Sequence, residues 1–167
     1  MAGLTGKPAL TTEAAVANDG FWPDLTLSDL MSNYRIPSEY ADGVIKTGLS
    51  MALINVNLKL ASVKAKVVLD GYATLAAYTT AHPEALNGKQ VLEELYKHAV
   101  YTRAKAGLLM QFSSINRRPQ AENQAKEGDD METYWLDESQ VSIAEFFRRF
   151  LPAEPVFSNA NTLAVLL

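Results

Sequence analysis

Apolar residues recur every three or four positions along two long stretches of the chain. The first stretch carries Ile45, Leu49, Ala52, Val56, Leu60, Val63 and Val67. A helical turn holds 3.6 residues, so these side chains share one face of a helix of several turns. Lys46, Asn57, Lys59, Lys64 and Lys66 mostly fall off that face and read as solvated. Ser38 or Asp42 supplies the N-cap, and Asp70-Gly71 stops the helix. The second stretch carries Leu92, Leu95, Ala99, Thr102, Ala106 and Leu109, and Tyr96, Val100, Gly107 and Met110 widen its apolar face. Asn87-Gly88 opens this second helix, and Arg117, Arg118 and Pro119 mark its end. Several of its stripe residues are small. Small side chains let a neighbouring backbone approach, which places this helix at the centre of a bundle.

Shorter elements surround the two long ones. Thr26 and Asp29 have capping-box spacing at the head of "TLSDLMSNY", a short helix ended by "RIP" at 35–37. "YATLAAYTTAHPEAL" reads as a short helix or a loop closed by Pro83. After residue 120 a third helical pattern is polar at first and turns Met131, Tyr134 and Trp135 inward. Ser142 and Glu145 repeat the capping-box spacing, with Val141 and Phe146 at staple positions. They open a new short helix or kink the third one, with Phe146, Phe147 and Phe150 as its apolar face. Pro152 and Pro155 break helix. The expected architecture is all-α: a small helical bundle over residues 21–150 with two long helices. A flexible arm (1–20) precedes it and an extended tail (151–167), possible as a β-strand, follows.

Two segments resist the helical period. In "NDGFWPDL", residues 18–25, Pro23 disfavours helix at Trp22. Phe21 and Trp22 therefore sit on irregular chain, as a lid over their own bundle or, alternatively, as anchors at an interface. The tail ends in Leu163, Ala164, Val165, Leu166 and Leu167 with no hairpin mate. A lone strand is not stable by itself. Leu163, Val165, Leu166 and Leu167 are read as pairing with another chain in preference to packing on the bundle.

Composition narrows the function classes. Within 167 residues the net charge is −4, which gives no broad case for nucleic-acid binding. No cysteine is present, so neither a disulfide framework nor thiol chemistry arises, as fits a reducing compartment. No apolar run reaches the length of a membrane span, and no signal peptide is evident. His82 and His98 lack a second ligand at metal spacing and read as structural or surface residues. Isolated glycines form no phosphate loop, and no Ser-His-Asp order stands out. Neither an enzyme nor a cofactor is expected. Residues 122–138 hold seven acids against one lysine. A solvated helix face explains them, and they lack the alternation of a calcium loop. Lys59, Lys64, Lys66, Lys97, Arg103 and Lys105 are basic counterparts that would set register across a subunit contact.

Three of these segments together resemble the head completion (head stabilisation) proteins of temperate contractile-tailed phages. "NDGFWPDL" is similar to that family's opening motif. "ALINVNLKL", with Val56-Asn57 followed by Leu58, resembles its first long helix. "LNGKQVLEELYKHAVYTRAKAGLL" resembles its central helix through Asn87-Gly88, Tyr96, Ala99-Val100-Tyr101, Ala104 and Ala106. "NTLAVLL" resembles its tail, and His98 stands where the family often has Arg. The likeness covers roughly residues 18–150. It implies a non-enzymatic connector in the virion neck, assembled in the host cytoplasm. Such proteins form a homo-oligomeric ring, twelve-fold like the portal protein above it. The ring extends the DNA channel, retains packaged DNA as passing cargo and offers a platform to the next neck or tail terminator protein. On this reading Glu122, Glu127, Asp129, Asp130 and Glu132 face the channel, where acids repel the DNA backbone and let it slide. The alternative is a helical scaffold or regulatory protein that binds a partner helix.

Overall fold

A computed structural model describes residues 15–36, 40–113 and 122–151. The described chain is predominantly helical, with two minimal antiparallel strand pairs. β1 (Ala15–Val16) pairs with β2 (Leu25–Thr26), with Ala15 opposite Thr26. α1 (Leu27–Asn33) follows directly, and the Thr26 side chain accepts from the Asp29 N–H as the spacing predicts. The chain leaves α1 through Arg35, whose φ is +52°.

α2 (Asp42–Lys59) and α3 (Ala61–Leu69) lie where the sequence predicts one helix. They meet at Leu60, where the backbone leaves helical geometry for a single residue. The apolar stripe runs on across this break, because Val56, Leu60, Val63 and Val67 are all buried. The N-cap position is Ala41, which has no side-chain bond to offer, and Asp42 falls in the first turn; Ser38 lies outside the described residues. Gly71, with φ of +96°, ends α3 as expected. α4 (Leu75–Ala81) resolves the ambiguous segment as a helix, capped by Thr74 through the Ala77 N–H.

Asn87-Gly88 does not open a helix. It forms the turn between β3 (Ala85–Leu86) and β4 (Lys89–Gln90), with φ of +51° at Asn87 and +74° at Gly88. Two successive positive φ values are what a two-residue hairpin needs, and Asn-Gly meets that need at least strain. α5 (Val91–Ser113) starts only after the hairpin closes through the Val91 N–H to Glu84 carbonyl bond.

α5 is central, as its small residues predict. It packs on α6 (Glu122–Phe150) along one side and on α2 along another. The Ser139 hydroxyl of α6 donates to the Ala99 carbonyl of α5 at 2.8 Å, a contact that only close-packed helices allow. Against α2, the space beside Gly48 is taken by Leu108, whose side chain would lie 3.0 Å from an added Cβ. α6 is one uninterrupted helix. Ser142 does not cap a new one; it is buried and its hydroxyl donates back to the Glu138 carbonyl. Val141, expected at a staple position, is exposed. Ile143, Phe146 and Phe150 supply the buried face, while Met131 and Tyr134 stand exposed and only Trp135 of that trio is substantially covered.

Candidate interaction surfaces

Phe21 and Trp22 are buried in the core of their own chain. The Trp22 indole stacks on Tyr96 of α5, with centroids 4.6 Å apart and planes 3° from parallel. Its edge meets Phe146 of α6 at 5.8 Å, and Phe21 packs edge-on against it at 4.7 Å. The Phe21 carbonyl accepts from the N–H of Leu75 at 3.0 Å, which ties α4 to the same point. One Trp thus joins α5 to α6.

The polar residues around Phe21 and Trp22 hold them there. Asn18 Nδ2 donates to the Tyr96 hydroxyl at 2.7 Å, that hydroxyl donates to Asn57 Oδ1 at 2.6 Å, and Asn57 Nδ2 donates back to Asn18 Oδ1 at 2.8 Å. Three side chains from three segments close a ring of hydrogen bonds. Asn18 also binds the Pro23 carbonyl through Nδ2 and Asp24 Oδ1 through its backbone N–H. Asp19 Oδ1 accepts from the backbone N–H groups of Phe21 and Trp22, and its other oxygen takes Lys64 Nζ at 2.7 Å. Partial burial alone would raise the Asp19 pKa, but the Lys64 bond and the two backbone donors together hold it below the usual carboxylate value. Burial pushes the Tyr96 hydroxyl well above the normal phenol range.

Residues 15–20 therefore belong with the folded unit and not with the arm, since Val16 is buried and Asn18 is anchored. Periodicity does not show this. The signal was available only as the concentration of turn-forming, hydrogen-bonding residues in Asn18-Asp19-Gly20, with φ of +81° at Gly20.

A second cluster joins α1, α5 and α6. The Tyr34 hydroxyl is hydrogen-bonded to His98 Nδ1 at 2.8 Å, and His98 Nε2 faces Glu138 at 3.5 Å. Lys105 Nζ donates to the Tyr34 carbonyl at 2.6 Å and sits 4.3 Å from the Trp135 ring centroid. Burial carries the Tyr34 pKa up to about 12. His98 is thus a structural residue. In the adjoining polar cleft of about 280 Å³, Glu94 is already bonded to Lys97 and Lys89. Among the described residues no group of three or more His, Cys, Asp or Glu is arranged to hold a metal, and no helix is long and apolar enough to cross a membrane.

The acidic candidates lie on the first turns of α6. Asp130 is exposed, and Glu132 is half-buried in a groove shared with Arg103 and Gly48. For Glu122, Glu127 and Asp129 the helical backbone is described and the side chains are not. Leu163, Val165, Leu166 and Leu167 lie outside the described residues. Eleven large apolar residues stand exposed among the described ones, and their distribution is uneven. Six are on α2 and α3, four are on α6 or just past its end, and one, Leu86, is on β3.

A helical bundle pinned by hydrogen-bonded and aromatic hubs, with most of its exposed large apolar residues on α2, α3 and α6, has the character of a structural module. The chain belongs to the phage head completion protein (GPL) family, whose pattern it matches over residues 16–148. It is similar to the "Probable head completion/stabilization protein" of Haemophilus phage HP1 (strain HP1c1), with 30% identity over 117 residues, covering 69% of this chain and 75% of that one. No solved structure matches the chain. It is thus a head completion and stabilisation protein of a phage, a structural component of the virion. The family match includes all three members of the hydrogen-bonded ring, Asn18, Asn57 and Tyr96. These fall in the three segments that carry the sequence resemblance.

Proposed function

We propose that the chain is a ring subunit seated beneath the portal, closing the DNA-filled head and presenting a surface to the next neck or tail component. The observation that carries this reading is family membership across the whole helical bundle, residues 16–148. The ring has the portal's symmetry, twelve-fold, and extends its channel. The acid-rich start of α6, from Glu122 through Glu127, Asp129 and Asp130 to Glu132, faces the lumen and keeps the wall from gripping the DNA backbone. Exposure of Asp130 supports this placement. Leu163, Val165, Leu166 and Leu167 pair with a neighbouring subunit or with the portal. Phe21 and Trp22 serve assembly indirectly, by fixing the ends of the helices that meet other chains.

The deciding experiment mixes the purified protein with the portal ring encoded by the same genome and weighs the product by native mass spectrometry. Loading of a fixed number of copies at the portal's symmetry is the expected result. A folded chain that leaves intact portal unoccupied, and instead captures a single partner helix in a small defined complex, would favour a scaffold or regulatory role. Deleting residues 160–167 should leave the circular-dichroism spectrum unchanged and abolish assembly. Assembly that survives the deletion removes the tail from the contact.

A further inference from the structure

α2 is apolar on two opposite faces. Ile45, Leu49, Ala52, Leu53 and Val56 are buried against the bundle. Val44, Met51, Ile54 and Leu58 form a second stripe on the far side, and Leu58 is 71% exposed. Their spacings of seven, three and four are those of a coiled-coil seam, with Thr47 at the intervening position. A helix apolar all round is one that is covered all round.

The complementary surface is on α6. Its buried residues, Ser139, Ile143, Phe146 and Phe150, face the bundle. Tyr134 and Val141 point the opposite way, seven residues apart, with Val141 64% exposed and exposed Ala144 on the same face. α2 and α6 both pack on α5, and each turns its second stripe away from it. The α2 stripe carries no charged residue, and the outer face of α6 holds both signs: exposed Asp137 lies between Tyr134 and Val141, and exposed Arg148 follows Val141 by seven residues.

The two stripes also stand at matching heights. Met51 and Asn55 of α2 share a groove with Glu132 and Leu136 of α6. Gly48 lies beside Leu108 and Asn57 meets Tyr96, so α2 runs antiparallel to α5; Lys105 lies over Trp135 and Ser139 bonds the Ala99 carbonyl, so α6 does the same. α2 and α6 therefore run in the same direction, with Met51 about level with Tyr134 and Leu58 about level with Val141. Rotation about an axis along the helices preserves height. It would carry the α2 stripe of one copy onto the α6 stripe of the next in register.

We propose that the outer stripe of α2 (Val44, Met51, Ile54 and Leu58) binds the outer face of α6 (Tyr134, Asp137, Val141 and Ala144) of a second copy of this chain, head to tail. The inference rests on the ring reading and names its subunit contact. A contact between two different patches repeats from copy to copy and closes when the rotation divides the circle. It uses the turns of α6 beyond Glu132, so the acidic start of that helix remains free for the lumen.

The chain has no cysteine, so a disulfide reports one contact at a time. The full chain carrying both Leu58→Cys and Val141→Cys is oxidised with and without the portal ring, and each single variant is treated alike. A covalent ladder from the double variant, with no dimer from either single one, is the expected result. The pair Met51→Cys and Val141→Cys sits two helical turns out of register, about 10 Å, and should crosslink several-fold less. Dimers from Leu58→Cys alone would make the contact α2 on α2 and overturn the proposal. Crosslinking of Leu58→Cys to the portal would give the face to that protein and overturn it too. Native mass spectrometry of the same samples separates the two levels of inference. Rings that form without a 58–141 disulfide sink this contact and leave the ring standing. A folded chain and an intact portal that never form a ring remove both.

Discussion

Trp22 touches Tyr96 and Phe146 face and edge, and its indole N–H has no acceptor among the described residues. Ring packing therefore holds it. Trp22→Ala should lower the unfolding free energy by about 3–5 kcal/mol in a urea titration, and Trp22→Phe by clearly less. A loss of portal binding at unchanged stability would instead make the residue an interface anchor. Asn57→Ala removes one corner of the closed hydrogen-bond ring and should cost about 1–3 kcal/mol. Combined with Tyr96→Phe, the loss should fall short of the sum of the two, because the residues share one network. Strict additivity would show that the ring contributes as separate bonds. In the sequence alone, Asn18, Asn57 and Tyr96 read as a turn residue, a solvated position and a stripe-widening aromatic. Partners 39 and 78 positions apart leave no mark on local pattern.

The same groups set the response to pH. The Asp19 carboxyl is held below its unfolded pKa by Lys64 and the Phe21 and Trp22 N–H groups, against the effect of burial. Its contribution is present above the unfolded value near 4 and is lost as pH falls through the folded one. Glu94, held low by Lys97 and Lys89, acts in the same direction. Tyr34, Tyr96 and Tyr101 have raised values, chiefly through burial. Their contribution is complete below about pH 10 and is lost above it. Melting temperatures should form a plateau between these limits, with the acid edge below about pH 4 weakened in Asp19→Asn. An unchanged acid edge in that variant would remove Asp19 from the account.

At the scale of elements, helical period located the helices and misplaced several of their ends. The stripe from Ile45 to Val67 is buried as one line although the backbone dihedrals break at Leu60, because Leu60 keeps its bonds to the Val56 carbonyl and from the Lys64 N–H, so the turn-to-turn spacing is preserved. Asn87-Gly88 reads in the sequence as the opening of α5, yet it makes a hairpin too short to show alternation. Ser142 has a cap's spacing but lies mid-helix, where its hydroxyl is satisfied by the preceding turn. Capping boxes specify a helix start only where the preceding residues leave helical geometry. Gly48 marks the closest approach of α2 and α5. Gly48→Val should destabilise by about 1–3 kcal/mol through crowding of Leu108. Gly48→Ala should change stability by less than about 1 kcal/mol, since its gain in helix propensity opposes a milder clash. A stable Gly48→Val would mean that Leu108 has another rotamer available.

For the whole molecule, the sequence by itself determined a helical bundle, a central small-residue helix, an aromatic segment on irregular chain and the absence of thiol chemistry. Period, residue size and composition are local properties that any fold must respect. The segments 18–25, 52–60 and 86–109 point to the phage head completion family. Tertiary structure decided what those segments do together. It closed Asn18, Asn57 and Tyr96 into one ring, carried the folded unit back to Ala15, and turned Met131 and Tyr134 outward. It also brought the second stripe of α2 and the outer face of α6 to matching heights on two sides of α5. Helical periodicity shows that a face is apolar, but only the packing of the other helices shows which of two apolar faces the bundle leaves uncovered.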